Sequence, residues 1–389
     1  MAIGSVRNPG GGRNLQLDIL RGIAILLVIG RHLELPRPDG IIGNFAWAWF
    51  QIGWLGVDLF FVLSGFLIGG LLIAELKRRS RIDVTRFLVR RGLKIYPAYF
   101  VFIAYLIFNP TVKALVHGGD AGATLAGEWA RYWPNLLFLQ NYVGTNPAGH
   151  TWTLAVEEHF YLVLPFALVA LMLADRIRIL ILLCLFMVPI LLLGLRGFSV
   201  WTGDPFAEKM SATHLRLDAL LFGVGLRALA EYFPERFMAT RQWRHWLIPA
   251  GLALWSLNFV IEPTTNFVRT VGLLGNYLGS AAFLLATYHT HAPDFGRWAR
   301  YVLPPALLVA WIGVYTYSIY IWHITAMGIL EREIGSRILA WAGGTSSVSW
   351  LVSAGTVCVG AILAGVVASK AVEWPVLHVR DRLFPSRSS

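Results

Sequence analysis

The sequence predicts an all-α, polytopic integral membrane bundle of about ten transmembrane helices with both termini cytoplasmic. Three observations predict it. Hydrophobic residues make up 56% of the 389 and charged residues only 14%, where a soluble globular domain carries about 25% charged residues. Apolar runs recur throughout, at Ile177–Leu195, Leu247–Val260, Val271–Thr287, Val302–Val314 and Val348–Ala368. Several approach the roughly 17–25 residues that cross a bilayer as a helix. Finally, lysine and arginine gather in alternate loops between those runs, as the positive-inside bias requires.

Ten spans fit the runs: 16–34, 54–75, 94–108, 154–173, 178–195, 214–230, 246–261, 269–289, 303–328 and 347–371. The first carries charge at both ends and is placed by its central run of isoleucine, leucine and valine. The second and third flank the most basic loop of the chain, Lys77 to Lys94. The fourth opens at HTWTLAVEEHFYLVLP, and the fifth is the unbroken run ending at Leu195. The sixth opens with HLRLDALLFG; the seventh to tenth are the remaining long apolar stretches. With the N-terminus inside, Arg7, Arg13, Arg90, Arg91, Arg176, Arg244, Arg300, Lys370 and Arg380 fall on the cytoplasmic side. The opposite side receives fewer, among them Lys113, Arg131, Arg196 and Lys209. A 1–14 tail, a 15–375 membrane domain and a 376–389 tail are the expected divisions, with Pro375 stopping the last helix and Glu373 capping a neighbour. The loop at about 109–153, rich in glycine and proline, reads as a partly ordered external cap. Met1–Leu17 lacks an apolar core with an Ala-x-Ala site, so no cleaved signal peptide is expected.

The formal charge of +11 could suggest nucleic acid, but the excess sits in short loops and reports orientation instead. No nucleic-acid partner is expected. Cys184 and Cys358 both lie inside apolar runs, so neither a disulfide framework nor a metal site is expected.

Chemistry is sought where a span holds what lipid excludes. The first span reads LDILRGIAILLVIGRHLE, with Asp18, Arg21, Arg31, His32 and Glu34 around its apolar centre. Arg21 and His32 stand eleven positions apart, hence roughly 20° from one face and about 16 Å along the axis. That suits a long ligand with an anion at Arg21 and reactive chemistry at His32; two interfacial charge clusters are the alternative. Asp18 can orient Arg21 as an i,i+3 pair, and His32 suits a general base. The stretch FLVRRGLKIYP brings Arg90, Arg91 and Lys94 up to the membrane, where they can fix topology, bind anionic lipid or hold a phosphorylated cofactor. Of the paired Glu157 and Glu158, the first shares a helix face with Thr153 and Tyr161 and is read as inward, the second as turned away. A solvated pair at the outer interface is the other reading. Arg216 and Asp218 are either intramembrane groups or, for Arg216, the outer surface. Tyr317, Tyr320 and His323 fall three apart and line either a polar cavity or an aromatic belt.

These segments together resemble the acyltransferase-3 family of bacterial membrane proteins. LDILRGIAILLVIGRH matches its Arg-x10-His signature. GVDLFFVLSGFLIGG resembles its second-span motif, with Asp58, Ser64 and Gly65. RRGLKIYP resembles its Arg-x-x-Arg element, and HTWTLAVEEHFYL its Trp-Ser-Leu-x-x-Glu-Glu segment; RLDALLFG and TYSIYIWH match later elements. Six motifs in order span about 15–325. Lys94 stands where the family usually has arginine, and Thr153 where it has serine. The resemblance implies an enzyme, an acyltransferase of the O-acetyltransferase type in the bacterial inner (cytoplasmic) membrane. It would move an acyl group from acetyl-CoA or another cytosolic acyl-CoA to a hydroxyl of a carbohydrate or other cell-envelope acceptor. On that footing His32, Glu157 and Arg21 are the catalytic set, with Glu157 orienting the imidazole, and Arg90, Arg91 and Lys94 hold the donor's phosphates. Asp18, Asp58, Ser64, Arg216, Asp218, Tyr320 and His323 support the site. No metal and no appended extracytoplasmic hydrolase-like domain are expected. A transporter or flippase using the same intramembrane charges is the alternative, though no inverted repeat is visible.

Overall fold

The computed structural model describes residues 14–143, 148–173, 176–206, 210–262, 264–290 and 292–385. Arg7, Arg13, Pro147, Lys209 and the last four residues of the 376–389 tail lie outside them. The described residues form helices and no strand. In order these are α1 (Leu15–Arg31), α2 (Gly40–Ile52), α3 (Leu55–Arg79), α4 (Val84–Val116), α5 (Ala121–Leu136), α6 (Trp152–Leu173), α7 (Ile177–Thr202) and α8 (Leu217–Tyr232). There follow α9 (Pro234–Ala239), α10 (Arg244–Val260), α11 (Val268–Tyr288), α12 (Ala299–Val314), α13 (Thr316–Trp341) and α14 (Ser347–Leu383). Among the described residues, α3, α4, α6, α7, α11 and α14 are long and apolar enough to cross a membrane, and the bent pair α12–α13 makes a seventh if it is one span. Helices α1, α8 and α10, at 17, 16 and 17 residues, are shorter.

Local chemistry sets the helix starts. The Asn14 side chain accepts from the backbone of Gln16 at 3.0 Å, Asp83 from Arg86 at 3.0 Å and Asp120 from Ala123 at 2.9 Å. Each satisfies an N–H that the first turn leaves orphaned.

The chain divides into two compact units. One takes in the chain through Leu63, with Glu235–Val260 and Gly275–Ile362; the other takes in Ser64–Pro234, Ile261–Leu274 and the chain from Leu363 on. In the first unit α1 lies directly against α12. Glycines make that approach: a Cβ on Gly22 would stand 2.0 Å from the Val309 carbonyl oxygen, and one on Gly313 would stand 1.9 Å from that of Asp18. Small residues at helix crossings are the usual membrane solution, because lipid supplies no hydrophobic drive for association. In the second unit α4 packs on α5 and on the C-terminal part of α14.

Four expectations are corrected. The run at 303–328 is interrupted: α12 and α13 meet at Tyr315 with a bend of 81°. Tyr315 leaves helical geometry, and the Thr316 hydroxyl donates to the Gly313 carbonyl at 2.9 Å, occupying a carbonyl of the last turn. Pro375 does not stop the last helix, which runs on to Leu383. A π turn at Ser369–Glu373 precedes it, so the proline falls at the start of a new α segment, where its missing N–H is tolerated. Beside it, Glu373 accepts from Ser369 at 2.9 Å within the same helix. The 109–153 loop is largely helical, since α4 continues through Pro110 to Val116 and α5 follows. Finally, α2 occupies a stretch left outside every expected span, and its Trp49 indole donates to the Leu26 carbonyl at 3.0 Å.

Candidate active site

In the first unit, α1 carries Asp18 and Arg21 on consecutive turns. Their side chains pair at 2.7 Å, with Asp18 buried, as the i,i+3 spacing anticipates. His32 is the C-cap of α1 rather than a residue inside it. Its Nδ1 lies 2.9 Å from the Val28 carbonyl oxygen. A carbonyl only accepts, so Nδ1 carries the proton and the Nε2 lone pair is left available. The bond also satisfies a carbonyl at the end of the helix.

The second imidazole partner comes from α13. His323, fully buried, donates from Nδ1 to the Tyr320 carbonyl at 2.6 Å, so its Nε2 is an acceptor. That nitrogen stands 3.3 Å from His32 Nδ1, and the two rings meet edge to face at 4.9 Å. Tyr320 is buried beside them and meets Phe60 edge-on. Residues 315, 316, 318, 319, 320, 321 and 323 are all buried, covering every face of the first two turns of α13. A helix buried all round lies inside a bundle, so the aromatic-belt reading of this stretch does not hold. Asp58, in the first turn of α3, is 1% exposed.

The second unit gathers the cations. A cavity of about 230 Å³ is lined by Arg78, Arg86, Arg90, Arg91, Lys94 and Arg380, together with Glu75 and apolar residues of α3. Asp381 pairs with Arg380 at 2.8 Å and with Arg90 at 3.2 Å. Arg90 Nη1 is nonetheless buried with no hydrogen-bond partner. Beside the inner end of this cluster, Glu157 hydrogen-bonds Ser64 and Tyr161, with Arg91 and Lys94 nearby. Ser64 and Tyr161 also bond each other at 2.8 Å, and the Arg91 guanidinium lies 5.7 Å over the Tyr161 ring.

Two side chains depart from expectation, and a third reading left open is decided. Glu158 is not turned away: it is 5% exposed and accepts from Tyr96 of α4 at 3.0 Å. The carboxyls sit about 100° apart, and helices pack on both directions of α6. Arg216 is no surface residue, being 3% exposed with its guanidinium 5.5 Å over Trp152. Arg196 is no loop cation either, because α7 extends past it to Thr202 and Asp218 of α8 pairs with it at 2.8 Å. Both members of that pair are 2% exposed, and breaking such a buried pair costs about 3–5 kcal/mol. Among the described residues no three His, Cys, Asp or Glu side chains gather as a metal site.

Sequence reasoning missed Arg380, Arg86 and Arg78 as cavity residues and His323 as the neighbour of His32. The i, i+4, i+8 spacing of Arg86, Arg90 and Lys94 was the available signal for the first group. Nothing in the sequence relates positions 32 and 323.

The chain is similar to known proteins along most of its length. A Staphylococcus aureus (strain COL) protein named "Putative O-acetyltransferase SACOL0978" is 28% identical over 325 residues, covering 81% of this chain and 51% of its own. O-acetyltransferase OatA of Staphylococcus aureus (strain NCTC 8325 / PS 47) is 30% identical over 318 residues, covering 79% and 49%. The chain thus spans about half the length of these relatives. No solved structure matches it. The acyltransferase domain family matches residues 14–369, which takes in every motif described above, and the chain therefore belongs to that acyltransferase-3 family.

Proposed function

We propose that the chain is a membrane-bound O-acyltransferase of the bacterial cytoplasmic membrane. It takes an acyl group, in the simplest case acetyl, from cytosolic acyl-CoA and passes it to a hydroxyl of a carbohydrate or other cell-envelope acceptor. Ten crossings with both termini cytoplasmic complete the proposal, and the loop charges support them. The observation that carries it is the cation-lined cavity of α3, α4 and α14, whose chemistry suits a ligand with several phosphates. The relatives named O-acetyltransferase support the acyl chemistry.

In this reading the acceptor oxygen attacks the thioester carbonyl while His32 Nε2 takes its proton. The C–S bond breaks, and the same proton passes to the departing thiolate to give free coenzyme A. Transient acylation of the imidazole is the other route to the same products. His323 Nε2 faces the Nδ1–H of His32 and holds its tautomer. Arg21, fixed by Asp18, is assigned to the catalytic set with Glu157, whose carboxyl stands beside Arg91 and Lys94. Arg91 and Lys94, with Arg90, hold the donor's phosphates.

Binding of acetyl-CoA to detergent-purified protein tests this. Wild type binds saturably, and Arg91→Ala/Lys94→Ala weakens binding about 100-fold or more, at roughly 1.5–3 kcal/mol per charged contact. In a thiol-release assay with acceptor present, His32→Ala binds but releases no coenzyme A. Failure of folded wild type to bind acetyl-CoA would overturn the proposal. Binding without acceptor-dependent thiol release would transfer these groups to a transport pathway.

A further inference from the structure

The cations of the cavity are ordered along α4. Arg86, Arg90 and Lys94 repeat every fourth residue, so they form a ladder about 12 Å long on one side of the helix. Its three levels differ in what already compensates them. At the level nearest the apolar body of α4, Arg91 and Lys94 stand near Glu157. In the middle, Arg90 and Arg380 share the carboxylate of Asp381. At the outer level, the Arg86 guanidinium donates to the Pro385 carbonyl of the C-terminal segment, and among the described residues no carboxylate pairs with it. Each level thus keeps one cation beyond its carboxylates, and Arg86 is the one whose guanidinium pairs with no carboxylate among the described residues.

Coenzyme A has a matching order. From the thioester, the pantetheine leads to the pyrophosphate, and beyond it the ribose carries a separate 3′-phosphate. The pantetheine, uncharged, belongs with the apolar part of α4, where Ser64, Tyr161 and Glu157 offer partners for its amides and hydroxyl. The pyrophosphate then falls on the inner and middle cations, where the buried Nη1 of Arg90 lacks an acceptor. The 3′-phosphate is left for the outer level. We propose that Arg86 reads the 3′-phosphate of the donor, so that the cavity selects coenzyme A over its 3′-dephospho form. This rests on the acyl-CoA reading above and adds to it a direction of binding and a residue for a phosphate that takes no part in the chemistry.

The test is direct binding of coenzyme A and 3′-dephospho-coenzyme A to full-length protein in detergent. Wild type prefers coenzyme A by about tenfold or more, the size of one charge-assisted contact. Arg86→Ala brings coenzyme A down to the dephospho level and leaves dephospho-coenzyme A unchanged. Arg86→Lys, which keeps the charge without the fork, retains part of the preference and guards against a folding defect. Lys94→Ala weakens both ligands by a similar factor and keeps their ratio. Equal binding of the two by wild type, or a ratio that survives Arg86→Ala, overturns the proposal while leaving the donor reading intact. If the cavity instead serves anionic lipid headgroups, phosphatidylglycerol added to the micelles occupies it and the ratio does not respond to Arg86, which also overturns it. If wild type binds neither nucleotide, the donor reading itself fails and this inference with it.

Discussion

His32 owes its proposed reactivity to two neighbours that fix where its proton sits. The Val28 carbonyl and His323 Nε2 both face Nδ1, at 2.9 and 3.3 Å, and leave Nε2 as the lone-pair nitrogen. His323 is thereby a positioning residue, itself held by the Tyr320 carbonyl. His323→Ala is expected to lower kcat by about 10- to 100-fold, the range that follows from misplacing a reacting group by about an ångström. KM for acetyl-CoA should hold, and His323→Gln, which keeps an acceptor oxygen, should recover part of the rate. A matched fall in kcat and rise in KM, with no recovery in the glutamine variant, would make His323 merely structural. The Asp18–Arg21 pair was legible because i,i+3 spacing on one helix relates the two. The imidazole pair was not, since it joins positions 291 apart in the chain and depends on how α13 packs.

Among the helices, the crossing of α1 with α12 makes a sharp demand on sequence. Gly313 has the Asp18 carbonyl where a Cβ would go, and backbone there cannot swing aside as a side chain can. Gly313→Ala should destabilise the protein by about 1–3 kcal/mol or more, the cost of overpacking, and lower its thermal midpoint in detergent. Gly355→Ala in α14, with open space at the same position, should leave that midpoint unchanged. Equal midpoints for the two variants would show that the crossing tolerates a methyl group. The long apolar helices were readable from composition. What misled was punctuation: Tyr315 ends a helix with no proline at the break, whereas Pro375 ends none because the π turn before it absorbs the proline. Arg196 was misassigned for a related reason, as α7 outlasts its apolar run by two turns to reach Asp218.

For the whole molecule, membrane character and family were legible in the sequence, and the proposed orientation follows from its loop charges. In a variant lacking Cys184 and Cys358, an impermeant maleimide should label Ala130→Cys of α5 in intact cells. It should reach Arg81→Cys, between α3 and α4, only after permeabilisation; the reverse pattern would invert the topology. Both positions are exposed. The π turn of α14 carries a different implication. Arg380 and Asp381 stand seven and eight residues beyond it on an unbroken helix. Every residue inserted or deleted in between would rotate them about 100° around the axis and shift them about 1.5 Å along it. That segment is constrained in length more than in composition: its reading frame against α4 belongs to the proposed donor site.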